Sequence, residues 1–265
     1  MKEITINEMR TIQLKILDAV HDFCTKNNLH YFLIAGTLLG AIRHGGYIPW
    51  DDDIDIAMLR KDYEVFIKTF YSDSFSVLDY RKDINYNYPY AKIQFNNTLF
   101  KEQSRLNKPI GINIDLFPID YVPEDFKSRK NLFKFIKKYR LIYDIKDTKL
   151  SKKRSFIKNV ILICGYIFFA FIKVKKICAK LNKISVSSCT TESRLCAEVV
   201  WGCGEKEVVS SNVFSSCLKC EFEDREYFIP VDYNEWLSRR YGDSYMEIPP
   251  IQNQKSHHNF KVYIL

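Results

Sequence analysis

The sequence predicts an α/β (α+β) fold, in which a mixed sheet is covered by flanking helices and carries a basic helical insertion. Short apolar or alternating runs at 31–35, 91–95 and 110–117 are typical of buried strands. Residues 5–28 have apolar side chains at helical spacing. Between 125 and 200, lysines and arginines surround an apolar stretch. Strand and helix patterns that interleave in this way predict one sheet packed against helices.

The first predicted element is a helix from Thr5 to about Asn28. Thr5 and Glu8 have the spacing of a capping box, in which each side chain accepts a hydrogen bond from the other residue's backbone N–H. A second helix is predicted over 60–70. The expected buried stripes of the two helices are Met9, Ile12, Ile16, Val20 and Cys24, and Tyr63, Phe66, Ile67 and Phe70.

Residues 31–56 combine a strand, a turn and a row of carboxylates. The apolar run 31–35 predicts a strand, after which Gly36 and Thr37 turn the chain into a short helix with Thr37 as its N-cap. Backbone N–H groups at such a helix start suit a phosphate. A second strand is then predicted, and it carries Asp51, Asp52, Asp53 and Asp55.

The aspartates of this second strand predict a metal site. Side chains alternate along a strand, so Asp51, Asp53 and Asp55 share one face while the isoleucines at 54 and 56 face the core. Carboxylates this close need a cation, and Mg²⁺ accepts one or two carboxylates together with substrate phosphate oxygens. The pattern therefore indicates metal-assisted phosphoryl or nucleotidyl transfer. The alternative is a solvated acidic turn, which the apolar residues at a period of two disfavour.

The strand over 91–95 places Lys92 and Gln94 on one face. Lys92 is interpreted either as a contact to a nucleotide phosphate or as a strand lysine whose ammonium group reaches solvent, and the sequence favours neither. Tyrosines before this strand suit a quaternary ammonium group through cation–π contacts, but a core role is the favoured interpretation. These tyrosines are Tyr80, Tyr86, Tyr88 and Tyr90.

Residues 110–117 alternate between large aliphatic residues and others. Asp115 lies on the face opposite the isoleucines, where an aspartate is unusual unless that face lines a cleft. We therefore expect Asp115 to lie in the same cleft as Asp53 and Asp55. Pro118 and the later Pro123 are expected to close this segment.

The net charge of +8 is unevenly distributed along the chain. Residues 127–183 contain 18 Lys or Arg and two acidic residues, a balance of +16, so the remainder carries −8. Such a block needs an anionic partner. A membrane surface is favoured over nucleic acid, because no nucleic-acid-binding motif accompanies the charge.

Within this block a basic amphipathic helix is predicted over 128–143. The uncharged run 159–172 follows; its 14 residues are short of the ~20 that span a bilayer. This run is interpreted either as an interfacial or re-entrant membrane helix with basic flanks, or as a buried core helix with charged ends.

Eight cysteines and a start that lacks an apolar secretory signal favour a reducing, cytoplasmic setting. The cysteines at 196, 203, 217 and 220 are interpreted as free buried thiols rather than as a zinc site, because only the last two form a CxxC pair. Further on, a strand pair is predicted over 221–230. A helix is predicted over 232–241, with Gly242 ending it.

Three segments resemble motifs of the LicD family of bacterial phosphocholine transferases, which is related to the fukutin-type ribitol-phosphate transferases. They are GTLLGAIRHGGYIPWDDDIDIAMLRKDYEVF over 36–66, PIGINIDLFPID over 109–120 and EFEDREYFIPVDYNEWLSRRYGDSYMEIPP over 221–250. The resemblance covers about half of the chain and none of 125–200. It implies a nucleotidyltransferase-like mixed sheet, in which a Gly-Thr turn precedes a DxD pair and a separate strand supplies a third carboxylate.

The resemblance also implies an enzyme, a phosphotransferase. It would move a phospho-alcohol, phosphocholine above all, from a CDP-linked donor to a sugar hydroxyl of a cell-surface glycan, such as teichoic acid or lipopolysaccharide, or of its lipid-linked precursor. CDP-choline is the expected donor. CDP-ribitol, another CDP-alcohol or another nucleotidyltransferase reaction are the alternatives. The non-enzymatic alternative is an inactive membrane-associated assembly protein. The enzyme is expected in the cytoplasm, peripheral on the inner face of the cell membrane.

Residues and resemblance together assign the site. The expected cofactor is Mg²⁺ (or Mn²⁺), as one or two ions at the donor pyrophosphate. The expected catalytic and metal-binding residues are Asp53, Asp55 and Asp115, and the expected donor-phosphate contacts are Gly36, Thr37, Arg43 and Lys92. The expected division of the chain is a catalytic core over 1–124, the basic insertion over 125–200 and the C-terminal part of the LicD-like domain over 201–265.

Overall fold

The computed structural model describes residues 1–101, 104–189, 192–254 and 261–265. Within these ranges the strands are β1 (Lys2–Glu3), β2 (Phe32–Leu33), β3 (Asp55–Leu59), β4 (Phe75–Leu78), β5 (Ala91–Phe95), β6 (Thr98–Lys101), β7 (Asn113–Tyr121), β8 (Leu195–Ala197), β9 (Val209–Ser210), β10 (Cys217–Phe222), β11 (Arg225–Pro230) and β12 (Lys261–Ile264). The α-helices are α1 (Ile6–Lys26), α2 (Ala35–His44), α3 (Arg60–Thr69), α4 (Phe126–Asp147), α5 (Phe156–Phe168), α6 (Val174–Ser188) and α7 (Tyr233–Tyr241). Short 3-10 helices cover Gly204–Glu207, Ser211–Phe214 and Ile251–Asn253.

The central sheet is mixed and flanked by helices, which confirms the predicted fold class. Its strand order is β2–β3–β7–β5–β4, and β8 with β9 continues it beyond β7. Strands β3 and β7 run parallel, whereas the other pairs on this path run antiparallel. The register places Asp55 beside Asp115, and Lys92 on the other side of Asp115. These three polar residues therefore form one row across the middle of the sheet.

Helix α1 packs across this sheet and begins as predicted. Thr5 Oγ1 accepts from the backbone N–H of Glu8 at 3.3 Å, and Glu8 Oε2 accepts from that of Thr5 at 2.7 Å, so the capping box is complete. The apolar stripe of the helix is buried against β5 and β7. Removing such a stripe from water supplies most of the free energy that holds a helix to a sheet.

The beginning of the predicted site differs from the sequence-based expectation. The first strand is confined to Phe32–Leu33, and helix α2 already begins at Ala35. The N-cap of α2 is Ile34, which makes no side-chain cap, so the prediction that Thr37 caps this helix is wrong. The second strand starts only at Asp55, and residues 51–54 are irregular. The sequence shows an apolar run over 31–35 but does not show how many of its residues belong to the strand, and here only two do.

Pro118 does not end its strand, contrary to expectation, because β7 continues to Tyr121. The backbone N–H of Asp115 donates to Ile54 O, so the N–H groups of odd-numbered residues here face β3. The nitrogen of Pro118 therefore faces the other side of β7, where β5 has already ended opposite Leu116 and β8 begins only opposite Asp120. A proline is tolerated there because no ladder bond is lost.

The middle of the chain leaves the sheet after β7 and returns to it at β8. Tyr121 pairs with Cys196, and the backbone N–H of Val122 donates to Leu195 O at 3.0 Å, so the segment begins and ends at the same place. Helices α4 and α6 pack against one another. Helix α6 also buries Ile177, Cys178 and Leu181 in the main core.

Helix α5 is not the buried core helix that was one interpretation of its sequence. Of its residues only Leu162 is buried. Phe156, Ile161 and Phe168 are among the most exposed large apolar side chains of the chain. Within the described residues, no helix is both long enough and apolar enough to cross a membrane.

The C-terminal predictions are confirmed for the elements that the structure describes. Strands β10 and β11 form an antiparallel hairpin, and helix α7 is capped by Asp232 and stops at Gly242, which has φ +88°. The cysteines at 196, 203, 217 and 220 are thiols, although only Cys196 is buried. In the described part of the chain these cysteines form no group that could hold a metal ion.

Candidate active site

A cleft of about 450 Å³ opens where α2 and β3 begin, and the C-terminal segment forms its opposite wall. Its volume is in the range of small-molecule sites. Its lining includes Ala35, Gly36, Arg43, Trp50, Asp51, Asp53, Asp55, Arg240, Tyr241 and Tyr245. Segments that are about 200 residues apart in the sequence thus form a single cavity.

The floor of the cleft is the first turn of α2. A Cβ atom built on Gly36 would lie 2.4 Å from Asp51 Oδ2, so the absence of a side chain lets the carboxylate rest against the helix start. Ala35 has φ +50°, a left-handed conformation that is strained for a residue with a side chain. The first N–H groups of a helix have no intrahelical acceptor. The helix start at Gly36, which was predicted to contact phosphate, therefore also lies against the carboxylate of Asp51.

Thr37 has a different role from the predicted one. It is buried inside the first turn of α2, and its Oγ1 accepts from the backbone N–H of Asp55 at 2.8 Å. This bond ties the start of β3 to α2. Thr37 therefore fixes the position of Asp55 through its side chain rather than capping the helix.

The irregular acidic loop before β3 is held from α1. The Arg10 guanidinium donates to the carbonyl oxygens of Pro49, at 3.1 Å, and of Asp51. Gln13 Nε2 donates to Asp52 O at 3.1 Å and to Asn113 O at 3.3 Å, and so connects the loop to β7. Residues 51–53 are therefore positioned by side-chain bonds where no strand exists to hold them.

Only part of the predicted set of aspartates lines the cleft: Asp53 and Asp55 do, whereas Asp115, expected in the same cleft, does not. Asp51, Asp53 and Asp55 all line the cleft. Carboxylate oxygens of Asp51, Asp52 and Asp53 lie within 4.8 Å of one another, so buried Asp52 belongs to the cluster as well. Burial raises the pKa of Asp55 well above its usual value, and the neighbouring Asp115 carboxylate raises it further. Clustered carboxylate oxygens of Asp51, Asp52 and Asp53, in a cleft that Asp55 also lines, are the kind of ligands that Mg²⁺ or Mn²⁺ takes.

Asp115 and Lys92 lie beside the cleft and form an ion pair. Lys92 Nζ is 2.6 Å from Asp115 Oδ1 and 3.1 Å from Asn113 Oδ1, and it lies 5.1 Å from the centroid of the Tyr88 ring. Lys92 is buried, so it is not a lysine that reaches solvent. Neither Lys92 nor Asp115 lines the cleft, but Asp115 is the direct neighbour of Asp55 across the β3–β7 pair.

Arg43 lines the cleft and supports its far wall. Its Nη1 donates to Tyr245 O at 2.9 Å and to Glu247 O at 3.0 Å. The last turn of α2 is thereby joined to the loop that follows α7. Its Nε donates to His44 Nδ1 at 3.4 Å, and a guanidinium with five donors has further N–H groups beyond these bonds.

Arg240 is a cleft residue that the sequence analysis missed. It forms an ion pair with buried Glu207 and lies 4.0 Å from buried Glu198. Its positive charge lowers the pKa of Asp55, against the effect of burial. The sequence does contain an arginine pair in this helix, Arg239 and Arg240 in SRRYGD. Helical spacing alone does not show which of the two points towards the cleft.

Aromatic side chains complete the cleft. Trp50, Tyr241 and Tyr245 contribute to its wall, and the Trp50 ring makes an edge contact with His44 at 6.2 Å between centroids. Of the tyrosines before β5, Tyr86, Tyr88 and Tyr90 are instead buried in the core, where the ring centroids of Tyr88 and Tyr90 lie 5.1 and 5.9 Å from Lys92 Nζ. Aromatic faces in a cleft can stack on a pyrimidine base or receive a quaternary ammonium group.

Comparisons with known proteins agree with this geometry. The family description "LicD/FKTN/FKRP, nucleotidyltransferase domain" matches residues 28–162, which include α2, the acidic loop, β3 and β7. Over 271 aligned residues the chain is 32% identical to the lipopolysaccharide cholinephosphotransferase LicD of Haemophilus influenzae, covering 100% of both proteins.

Two shorter matches are uncharacterised rickettsial proteins. One, from Rickettsia typhi, is 43% identical over 63 residues, 23% of this chain and 20% of that protein. The other, from Rickettsia prowazekii, is 41% identical over 63 residues, 23% of this chain and 24% of that protein. The family match and the full-length relative decide the assignment: this chain belongs to the LicD family.

Proposed function

We propose that this phosphotransferase moves phosphocholine from CDP-choline to a sugar hydroxyl of a lipopolysaccharide or a related cell-surface glycan. The observation that carries the proposal is the meeting of Asp51, Asp53 and Asp55 with Arg240 in one cleft beside the start of α2. Acidic and basic groups that face each other across a cavity suit a metal-bound diphosphate. The full-length relative, whose name states the same reaction on lipopolysaccharide, supports the choice of choline and of the acceptor.

In the proposed reaction an acceptor hydroxyl oxygen attacks the phosphorus atom next to choline. The new P–O bond joins phosphocholine to the sugar, and the P–O bond to the cytidine-bearing phosphate breaks, which releases CMP. The hydroxyl proton passes to a carboxylate of the site. No oxidant or further co-substrate is needed. The task left to the protein is to position the hydroxyl and the donor and to stabilise the charge that develops on the phosphates.

The residues fit a divalent cation. Carboxylate oxygens of Asp51, Asp52 and Asp53 lie within 4.8 Å of one another and repel, and burial together with Asp115 raises the pKa of Asp55. Both effects favour a bound cation. We propose Asp53, Asp55 and Asp115 as its ligands, with Asp51 as an additional candidate because it shares the cleft. When bound, Mg²⁺ or Mn²⁺ would neutralise charge on the diphosphate and the departing CMP.

The donor would be held by groups on both walls. The N–H groups of Gly36 and Thr37 would bind donor phosphate oxygens, as would the guanidinium of Arg43. Arg240 would face the same phosphates, with Glu207 fixing its guanidinium. Lys92 would act through Asp115, because its ammonium group is paired with that carboxylate. Choline or cytosine would lie against the aromatic wall.

The remaining expectations about the chain stay proposals. We propose that 1–124 and 201–265 together form the catalytic unit and that 125–200 is an insertion, since the cleft takes its lining from the first and the last of these parts. We also propose a cytoplasmic enzyme on the inner face of the cell membrane, where a lipid-linked glycan precursor would present its hydroxyl.

The direct test is the release of CMP from CDP-choline, CDP-ethanolamine, CDP-ribitol and CDP-glycerol, with Mg²⁺ or with EDTA, in the presence of a lipopolysaccharide acceptor. We expect metal-dependent turnover of CDP-choline. Asp53→Asn and Asp55→Asn should each lower kcat by at least about a thousandfold. The matched control is Asp224→Asn, which makes the same change at an exposed aspartate of the β10–β11 turn.

Turnover of another CDP-alcohol with the same metal and aspartate dependence would keep the mechanism and replace the donor. Full activity of either aspartate variant would contradict the proposed site. If no donor turns over, calorimetry of donor binding decides: a protein that binds no CDP-alcohol is not this enzyme.

A further inference from the structure

Helix α5 is attached to the fold through one side only. On its inner side Leu162 is buried, and a Cβ atom built on Gly165 would lie 2.7 Å from Ile145 Cγ2 of α4. The Tyr166 ring lies under Arg105, whose guanidinium carbon is 3.9 Å from the ring centroid. These contacts fix which side of α5 faces outwards.

The outer side of α5 and of the turn after it is apolar and exposed. Phe168 is 79% exposed and Phe171 96%. Exposed apolar residues recur at three- and four-residue spacing from Phe156 to Ile161, and exposed Cys164 connects Ile161 to Ile167 and Phe168 at the same spacing, so one continuous face results. We call these residues the α5 face: Phe156, Ile157, Val160, Ile161, Ile167, Phe168 and Phe171. An apolar face of this extent is unfavourable in water and marks an interaction surface.

Exposed lysines flank the α5 face on both sides in the sequence. Residues 148–183 contain ten Lys or Arg and no acidic residue. The internal bonds of this region are made by other lysines: Lys146 Nζ donates to Phe169 O at 2.9 Å, and Lys175 Nζ donates to Tyr80 O at 2.8 Å. The exposed basic side chains are Lys149, Lys152, Lys153, Lys158, Lys173 and Lys176.

We propose that the α5 face inserts into the interface of an anionic lipid bilayer, with the flanking lysines on headgroup phosphates. The 13 residues of α5 measure roughly 20 Å along the axis, less than the ~30 Å hydrocarbon core, so the helix lies in the interface instead of spanning it. Basic residues beside an exposed apolar helix face are the features of interfacial helices. This proposal goes beyond the proposed reaction and does not rest on it.

The positive charge beside the α5 face argues against a second copy of this chain as its partner. Two copies of this chain that paired through α5 would bring two identical basic surfaces together, and these repel. An anionic lipid leaflet, by contrast, offers headgroup phosphates over the whole width of the face. The hydrocarbon region of the bilayer would contact the α5 face, and its anionic headgroups would contact the lysines.

The test is flotation of the full-length protein with vesicles of phosphatidylglycerol and phosphatidylcholine, and with vesicles of phosphatidylcholine alone. We expect at least tenfold tighter binding to the anionic vesicles, and weaker binding as salt is added. Ile161→Asp and Phe168→Asp should each reduce binding at least tenfold. Ile84→Asp is the matched control, because Ile84 is 85% exposed and lies outside the α5 face.

A second pair of variants separates charge from apolar contact. Lys152→Glu with Lys153→Glu should reduce binding to anionic vesicles. Lys26→Glu with Lys68→Glu, which makes the same charge change at exposed lysines of α1 and α3, should not. All substituted positions are exposed, so the variants should unfold at the wild-type temperature.

Three results would overturn the proposal. The first is wild-type binding that does not depend on anionic lipid. The second is an Ile161→Asp variant that binds vesicles as the wild type does. The third is a dimer, measured by light scattering, that Ile161→Asp dissociates, since a second copy would then cover the face. None of these measurements uses CMP release, so failure here and failure of the proposed reaction are distinguishable.

Discussion

At the scale of single residues, Asp55 is subject to opposite influences. Burial and the adjacent Asp115 raise the pKa of its carboxyl, whereas Arg240 lowers it. Its own backbone N–H is fixed by Thr37 Oγ1 at 2.8 Å, so the side chain cannot easily move away from the other carboxylates. A buried charge that is held in place in this way is costly for folding and useful for binding a cation.

Gly36→Ala should lower activity more than stability. The added Cβ would lie 2.4 Å from Asp51 Oδ2, and the flexible end of that side chain would have to shift. We expect at least about a tenfold loss of kcat/KM, because small displacements of positioned groups are costly in catalysis. The free energy of unfolding should change by no more than about 1 kcal/mol.

The control for that variant is Gly165→Ala. Its added Cβ would lie 2.7 Å from Ile145 Cγ2, so the change also crowds a flexible side chain, but in the contact between α5 and α4 and not in the cleft. CMP release and thermal unfolding of both variants give the comparison. Equal loss of activity in the two would contradict the role given to Gly36.

Arg240→Lys should impair the enzyme although it keeps the charge. A lysine cannot reproduce the planar contact of Arg240 with Glu207, so the cation facing the donor would lose its fixed position. We expect about a tenfold or larger rise in KM for the donor. Arg239→Lys, at the neighbouring arginine that donates to Val208 O, is the control and should leave KM unchanged.

At the scale of elements, the acidic loop depends on α1, which is far from it in the sequence. The sequence predicts a strand through 51–55, and the period of two in that stretch is real, because Ile54 and Ile56 are fully buried. The structure nevertheless forms ladder bonds only from Asp55 onwards. Arg10 and Gln13 replace the missing ladder, and a periodicity argument contains no information about such long-range side-chain bonds.

Gln13→Ala should therefore disturb the site from outside it. The change leaves Asp52 O and Asn113 O without the donor that joins them, at a cost of about 1–3 kcal/mol, as for other buried polar groups that lose a partner. Activity should fall with it, because the loop is no longer tied to β7. Lys15→Ala, an exposed position on the same helix, is the control for both readouts.

The element-scale errors have a common origin. Pro118 and Thr37 were assigned their usual local roles, strand terminator and helix cap. The actual role of each residue depends on elements that are distant in the sequence. Pro118 lies where neither β5 nor β8 pairs with β7, and the Thr37 hydroxyl accepts a hydrogen bond from the first residue of β3. The helices α1 and α7 were predictable because their caps and stripes are local features, and α3 was predictable from its stripe alone.

At the scale of the whole molecule, the cleft joins α2, the acidic loop and the segment after α7. The sequence motifs identified the first two and the strand of Asp115. Arg240 and the aromatic wall were not assigned, since their place depends on how the C-terminal segment folds back onto α2 through Arg43. A bound cation would connect these distant parts and so stabilise the whole fold.

Metal binding should therefore raise the unfolding temperature, and more so at higher pH. Asp55 must lose its proton to bind a cation, and its raised pKa means that it keeps the proton to a higher pH than a solvated aspartate does. As pH rises through that pKa, the metal-free fold loses stability and the affinity for the cation grows. Thermal unfolding with 10-fold steps of Mg²⁺ or with EDTA, at roughly pH 5.5 and pH 8, measures both effects.

Asp55→Asn gives the matched comparison. Without metal it should be more stable than the wild type at the higher pH, because a buried charge has been removed. It should also lose most of the metal-induced rise in unfolding temperature. A variant that responds to Mg²⁺ as the wild type does would exclude Asp55 as a ligand.

The two ends of the middle segment lie side by side, and this arrangement affects how the sequence can change during evolution. Val122 and Leu195 are joined by a backbone hydrogen bond, so the chain from 123 to 194 leaves and re-enters the sheet at one point. Changes in the length of that segment do not shift the register of β7, which carries Asp115. Within it α6 is anchored in the core, whereas 148–173 contributes little to it. We expect insertions and deletions among homologous sequences to concentrate in 148–173, so that this segment can be lost or exchanged during evolution while the chemistry is inherited unchanged.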